Sequence, residues 1–222
     1  MRRRVKRPRL LQCFFGICLL LAFGIVGIDS CAAQTSHGEE ETIVLFRHGE
    51  KPADGLGQLT CRGLNRALAL PSVLIGRYGK PDFLYAPNPS VHVHDGSQGT
   101  PYSYVRPLAT IEPTAIRLGM PVNTQIGYDQ IAALQQAILQ PSYAHSTIFV
   151  AWEHNYLYKF ASQLLQSYAT NPQPLPEWTR SDFETIYVFH VTRPQSSGTP
   201  HVTLEIQKEG LDSTLSDTCP GT

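Results

Sequence analysis

A chain of 222 residues is long enough for one well-buried domain and short of two comfortable ones. Its formal neutrality hides an asymmetry, because six of the 18 basic residues fall within residues 1–9, leaving 12 basic and 17 acidic residues from Gln34 onward. A net charge of about −5 on that remainder argues against nucleic acid as a partner.

Residues 1–9 are basic without an acid, and residues 13–28 are sixteen uncharged, mostly apolar positions. This is the n-region and h-region order of an export signal, and Ser30, Ala32 and Ala33 supply the small residues of a cleavage site. Residues 1–33 are therefore expected to be a signal peptide or, uncleaved, an N-terminal membrane anchor. As an anchor, sixteen residues at about 1.5 Å each fall slightly short of a bilayer core of roughly 30 Å. Asp29 stands where a lipoprotein box wants a small residue, which disfavours acylation of Cys31. Either way the domain at 34–222 is expected to be periplasmic or secreted, touching the membrane only through its N-terminal segment. Cys61 and Cys219 remain after cleavage, and an oxidising compartment permits them to pair; two buried free thiols is the equal alternative.

The run TIVLF at 42–46 is apolar enough for a buried strand and stops at Arg47-His48-Gly49. A cation and an imidazole at the exit of a core strand are costly unless something anionic binds there. A Gly/Pro-rich turn at 52–57 leads to Thr60, an N-cap for a helix with Leu64, Ala67, Leu68 and Leu70 on one side. Residues 82–85 read as a short strand, 88–103 as a long polar loop, and 107–118 as a helix with Pro107 in its first turn. A short strand at 122–125, a helix at 128–139, a strand at 147–152 and a helix at 155–168 follow. Two strand-like runs, 185–192 and 201–207, read as a hairpin at a sheet edge.

Strands that alternate with helices and are apolar throughout fit burial on both faces. The expected fold class is α/β, a three-layer sandwich with a largely parallel central sheet flanked by helices and a C-terminal β-hairpin at the sheet edge.

In such sheets ligands bind beyond the carboxyl ends of the strands. Arg47 and His48 follow the first strand, Arg106 opens a helix, and His154 follows the strand TIFVAW. In this order the four resemble the histidine phosphatase superfamily, the phosphoglycerate mutase-like enzymes. Arg47-His48-Gly49 is similar to the opening RHG motif, and Arg106 to the arginine of S-x-x-R-x-x-x-T-A, with Ser103 three before it and Thr110 four after. His154 is similar to the second histidine, and Leu59 to Ala67 resembles the L-T-x-x-G-x-x-x-A helix opening with Gly63 in place. The resemblance spans residues 42–165. It implies that His48 is the nucleophile, that Arg47 and Arg106 grip the phosphoryl oxygens, that His154 stabilises the transferring group, and that no cofactor or metal is needed.

The proton donor stays open. The phytase branch has an aspartate after its second histidine, where this chain has Asn155. Glu153 is nearest in sequence, although neighbours along a strand point to opposite faces. Asp95 in the long loop, or no dedicated acid at all, are the other readings, and Glu112 suits a solvated helix position. Gly49, Glu50 and Asp95 are expected to line the substrate entrance, with Lys51 beside them, and the loop 88–103 and connector 140–146 to shape it.

The expected function is hydrolysis of a phosphorylated small molecule or phosphoprotein through a phosphohistidine. One alternative is a catalytically silent phosphate- or phosphoprotein-binding module. Another is a metal-binding envelope protein using His92 and His94, which alternate onto one face of VHVHDG.

Overall fold

The computed structural model describes residues 39–194 and 198–221. The addressing segment expected at 1–33 lies outside them. Strand β1 (Glu39–Arg47) leads through helix α1 (Cys61–Tyr78) to β2 (Phe83–Tyr85). A small hairpin, β3 (His92–Asp95) and β4 (Thr100–Ser103), precedes α2 (Arg106–Leu118) and α3 (Ile131–Ile138). Strand β5 (Thr147–Trp152) feeds α4 (His154–Tyr168), and β6 (Thr185–Arg193) and β7 (His201–Lys208) close the fold.

Five strands form one sheet in the order β2-β5-β1-β6-β7. Alternation along each strand sorts side chains into two layers. Ile43, Leu45, Ile148, Val150, Tyr187 and Phe189 join the core under α3 and α4. Val44, Phe46, Phe149, Ala151, Ile186 and Val188 join the one under α1 and α2. Both faces are thus covered, the three-layer arrangement that the apolar strands predict.

The sheet is mixed rather than largely parallel. Strands β2, β5 and β1 run parallel, whereas β6 is antiparallel to β1 and β7 to β6. The hairpin brings β6 against the central strand, so of its two strands only β7 lies at an edge. Part of the polar loop expected at 88–103 is the β3–β4 hairpin, whose four-residue strands pair only with each other. The strand expected at 122–125 shrinks to one bridge between Asn123 and Tyr85. Helix α3 starts three residues later than its apolar pattern predicts, where the carbonyl of Tyr128 accepts the Trp152 indole N–H at 2.7 Å. Among the described residues no helix is long and apolar enough to cross a membrane.

A C-terminal tail lies over the start of α1. Cys61 is disulfide-bonded to Cys219, and Asn65 donates to the carbonyls of Ser216 and Thr218. Beneath it Arg66, fully buried, donates to Glu50 at 2.7 Å, to Glu209 at 2.5 Å and to Asp212. With three carboxylates around one guanidinium, burial outweighs attraction at the most enclosed of them and pushes Glu209 up to about 8.

A carboxyl whose folded pKa is raised holds its proton in the folded state through the window from about 4.5 to about 8. The unfolded chain releases that proton across the same window, so stability falls as pH rises, by up to about 1.4 kcal/mol per pH unit. Glu209→Gln should flatten the decline of the melting temperature between pH 5 and pH 8, while an unchanged slope would remove Glu209 as its source. The disulfide closes a loop with a sequence separation of 158 residues. Cys219→Ser should therefore lower the unfolding free energy by about 2–5 kcal/mol in urea titrations.

Candidate active site

The crevice at the carboxyl ends of β1 and β5 is a topological switch point. The chain leaves β1 for α1 on one face and leaves β5 for α4 on the other, and ligands bind where such connections diverge. Arg47 is level with Trp152 across the pair, so His48 and Glu153-His154 emerge side by side. An open cleft of about 740 Å³ is lined here by Arg47, Lys51, Asp95, Arg106, Glu153 and His154, with Tyr128, Tyr156, Arg180 and Phe183 on its walls.

His48 is nearly fully buried, and its Nδ1 lies 2.7 Å from the Gly49 carbonyl. A carbonyl only accepts, so Nδ1 carries the proton and Nε2 keeps its lone pair. Arg106 Nε approaches that Nε2 at 3.3 Å. Burial first, then the Arg106 charge, hold the imidazole pKa well below its ordinary value. The ring is therefore neutral, with its Nε2 lone pair turned toward the Arg106 guanidinium.

Gly49 permits this placement. A Cβ there would meet the Gly63 carbonyl oxygen at 2.7 Å, and one on Gly63 would meet the Glu50 carbonyl oxygen at 2.4 Å. Two glycines thus let the first turn of α1 press against the backbone that carries His48. Thr60 caps that helix as expected, accepting from the Gly63 N–H at 3.1 Å. Thr110 ties the second helix to the same backbone: its hydroxyl accepts from the Gly49 N–H at 3.0 Å and donates to the Arg106 carbonyl at 2.8 Å.

Each cation has its own restraint. Arg47 Nη1 donates to the carbonyls of Arg180 and Asp182, both at 2.8 Å, and the guanidinium stacks 3.8 Å from the Phe183 ring centre. Burial pushes its pKa down to about 10, which leaves it charged at neutral pH. Arg106 holds Asp95 in a two-bond fork at 2.6 and 3.2 Å and lies 4.6 Å over the Tyr104 ring. His154 opens α4, and its Nδ1 lies 2.5 Å from Glu153 Oε1, out of line for a hydrogen bond.

Arg47, His48, Arg106 and His154 are therefore gathered in one crevice, together with Asp95 and Glu153. Glu153 is the N-cap of α4 rather than a strand residue, accepting from the Tyr156 N–H at 3.1 Å and from Asn155 at 3.0 Å. That cap geometry places it beside His154 instead of on the opposite face. Glu50 does not line the entrance: Arg62 and Arg66 draw its carboxylate under the C-terminal tail. Gly49 offers no free N–H to a substrate, because Thr110 takes it.

The connector 140–146 lies at the amino end of β5, away from the cleft, since a loop that enters a parallel strand sits at the end opposite the one that leaves it. His92 and His94 are both exposed, and His94 Nδ1 is bonded to the Gly99 carbonyl at 2.8 Å. Among the described residues no three His, Cys, Asp or Glu side chains converge as a metal site would require. Phe183 and the carbonyls of 179–182 are site elements that the sequence reading misses. Their only local signal is Phe183, an aromatic set among the otherwise polar residues 179–184 before β6.

No protein-family model matches the chain, and comparison with curated proteins finds no match. Solved structures do resemble it. A mycobacterial glucosyl-3-phosphoglycerate phosphatase in complex with inorganic phosphate superposes with a TM-score of 0.50 at 11% identity, over 76% of this chain and 97% of that one. A Nakamurella multipartitia protein described as the phosphohistidine phosphatase SixA gives 0.48 at 19% identity, over 76% and 95%. An Entamoeba histolytica phosphoserine phosphatase variant bound to phosphoserine gives 0.48 at 14%, over 76% and 98%. At these identities the likeness is one of fold, and it rests on the mycobacterial structure: the chain has the phosphoglycerate mutase-like fold of the histidine phosphatases.

Proposed function

We propose that the protein is an exported phosphatase of the histidine type, hydrolysing a phosphorylated small molecule or phosphoprotein through a phosphohistidine on His48. The observation that carries this reading is a set of buried polar atoms around a neutral imidazole. Arg47 Nε, Tyr104 Oη and His154 Nε2 have no hydrogen-bond partner among the described residues. Buried polar groups are costly unless satisfied, and a tetrahedral anion facing His48 Nε2 supplies acceptors for donors of this kind.

The chemistry follows from charge. A phosphoryl group in transfer spreads negative charge over three equatorial oxygens, and catalysis is mostly positioning and electrostatic stabilisation. Arg47 offers Nε while its Nη1 stays fastened to the backbone, Arg106 offers a guanidinium fork, and His154 donates from Nε2 while Glu153 holds the other side of its ring. The His48 Nε2 lone pair attacks phosphorus, the ester oxygen departs, and water then hydrolyses the P–N bond.

Export rests on the basic-then-apolar order of residues 1–33, and the Cys61–Cys219 bond supports it, since stable disulfides belong to oxidising compartments. A periplasmic or secreted location follows, tested by fusing residues 1–40 to a reporter active only after export and finding it active.

His48→Ala should lower turnover of p-nitrophenyl phosphate by roughly 10³-fold or more. Acid-labile radiolabelled phosphoenzyme should be trapped from the wild type and not from the variant. Retained hydrolysis in His48→Ala sinks the phosphohistidine, whereas phosphate binding without wild-type turnover would make the protein a binding module. The pH dependence has a definite sign. A depressed imidazole pKa keeps His48 neutral as pH falls through 6.5, so its ring resonance, assigned by its loss in His48→Ala, should begin to titrate only well below that pH in ligand-free protein. A midpoint at or above 6.5 would contradict the buried, Arg106-flanked geometry.

A further inference from the structure

Asp95 holds an unusual position for a carboxylate in a phosphate site. It occupies the Arg106 fork with both oxygens, lies 3.5 Å from Lys51 Nζ, and accepts from the Gly57 N–H at 3.2 Å. Gly55, at φ +74°, packs so closely that a Cβ there would fall 2.2 Å from the carboxyl carbon. The hairpin β3–β4 thus delivers one carboxylate to the cleft, and the glycine loop keeps it there. Its bidentate planar pairing with guanidinium is the geometry a phosphate also uses.

We propose that Asp95 is the proton donor to the leaving group, released for that task when the substrate phosphate takes over the Arg106 fork. The inference rests on the phosphatase reading above and narrows it to phosphomonoesters with basic alkyl leaving groups, because a phosphoanhydride or phosphohistidine scarcely needs an acid.

In the ligand-free protein Arg106 above all, then the Gly57 N–H and Lys51, favour the ionised carboxylate over the opposing effect of burial. Once the fork turns to phosphate, Asp95 loses its strongest partner and faces a dianion instead. Like charges at close range favour protonation, and the proton comes from solvent or from the incoming phosphate. Lys51, Tyr104 and Tyr128 are the other titratable groups whose fields reach it, with His94 adjacent on β3. When His48 Nε2 bonds to phosphorus and the P–O ester bond breaks, the departing oxygen takes the Asp95 proton and leaves as the alcohol. Water then attacks phosphorus as the P–N bond breaks, both of its protons staying on the phosphate, which departs as H2PO4−; His48 regains its lone pair and the Asp95 carboxylate returns to the Arg106 fork.

Glu153 is less suited. Its oxygens are committed to the Tyr156 N–H, the Asn155 amide and the His154 ring; burial pushes its pKa up, and these partners, His154 foremost, outweigh burial and hold it down. It is a positioning residue for His154.

The test compares wild type and Asp95→Asn on butyl phosphate and p-nitrophenyl phosphate, whose phenolate leaves without a proton. The variant should lose roughly 100-fold or more in kcat on the alkyl ester and no more than about tenfold on the aryl ester. Its inhibition by inorganic phosphate should tighten several-fold, since a competing carboxylate is gone. Equal losses on both esters with weaker phosphate inhibition would make Asp95 a structural counter-ion and overturn the proposal. If Asp95→Asn does not fold, Glu153→Gln decides. Rates that stay insensitive to leaving-group basicity in that variant, as in wild type, support Asp95, and a newly steep dependence assigns the proton to Glu153. A wild type inert toward every ester removes the phosphatase reading itself, an outcome distinct from either variant's behaviour.

Discussion

Arg47 and Arg106 share one crevice with the His154 imidazole, and the fold must hold the two guanidinium cations close together whether or not an anion is bound. Two unit charges about 4 Å apart interact by roughly 4 kcal/mol at an effective dielectric near 20, so each cation needs local compensation. The structure supplies a different kind for each. Arg47 is met by backbone carbonyls and an aromatic face, Arg106 by the Asp95 carboxylate, and His154 by Glu153. His48 sits among them uncharged, which is the condition for its burial beside two guanidinium groups.

This arrangement draws its rigidity from outside the crevice. The backbone after His48 is fixed by the glycine contact with α1, and α1 in turn is held by Arg66 and by the disulfide at its first residue. Glu50 links the two systems: its carboxylate anchors Arg66 and Arg62, while its carbonyl accepts the Thr60 N–H at the helix start. The C-terminal tail thereby bears on the position of His48 through one helix.

The parts of the site legible in the sequence are those whose position follows from a strand end. TIVLF and TIFVAW announce buried strands by composition, and the histidines after them are placed on one crevice by the rule that ligands meet α/β sheets at carboxyl ends. The hidden parts depend on distant pairings. Nothing local in residues 179–182 shows that their carbonyls will face a guanidinium 132 to 135 positions earlier. Glu50 was expected at the entrance because it adjoins the motif, yet Arg66, sixteen positions on, captures it. The antiparallel β6 escaped for a related reason: its apolar run fits burial on both faces in either direction, and only pairing with β1 decides the orientation.

The kind of compensation decides what each cation can do. Carbonyls of a folded backbone cannot leave, so Arg47 is fixed for good, with Nη1 spent on the chain and only its remaining edge available to a ligand. A side-chain carboxylate is exchangeable, because an arriving phosphate offers Arg106 the same planar pairing with more charge. One arginine therefore behaves as a permanent wall and the other as a partner that changes hands. The elements that carry the two counter-groups differ likewise: the hairpin bearing Asp95 is small and pairs only with itself, whereas the segment holding Arg47 runs directly into a strand at the heart of the sheet.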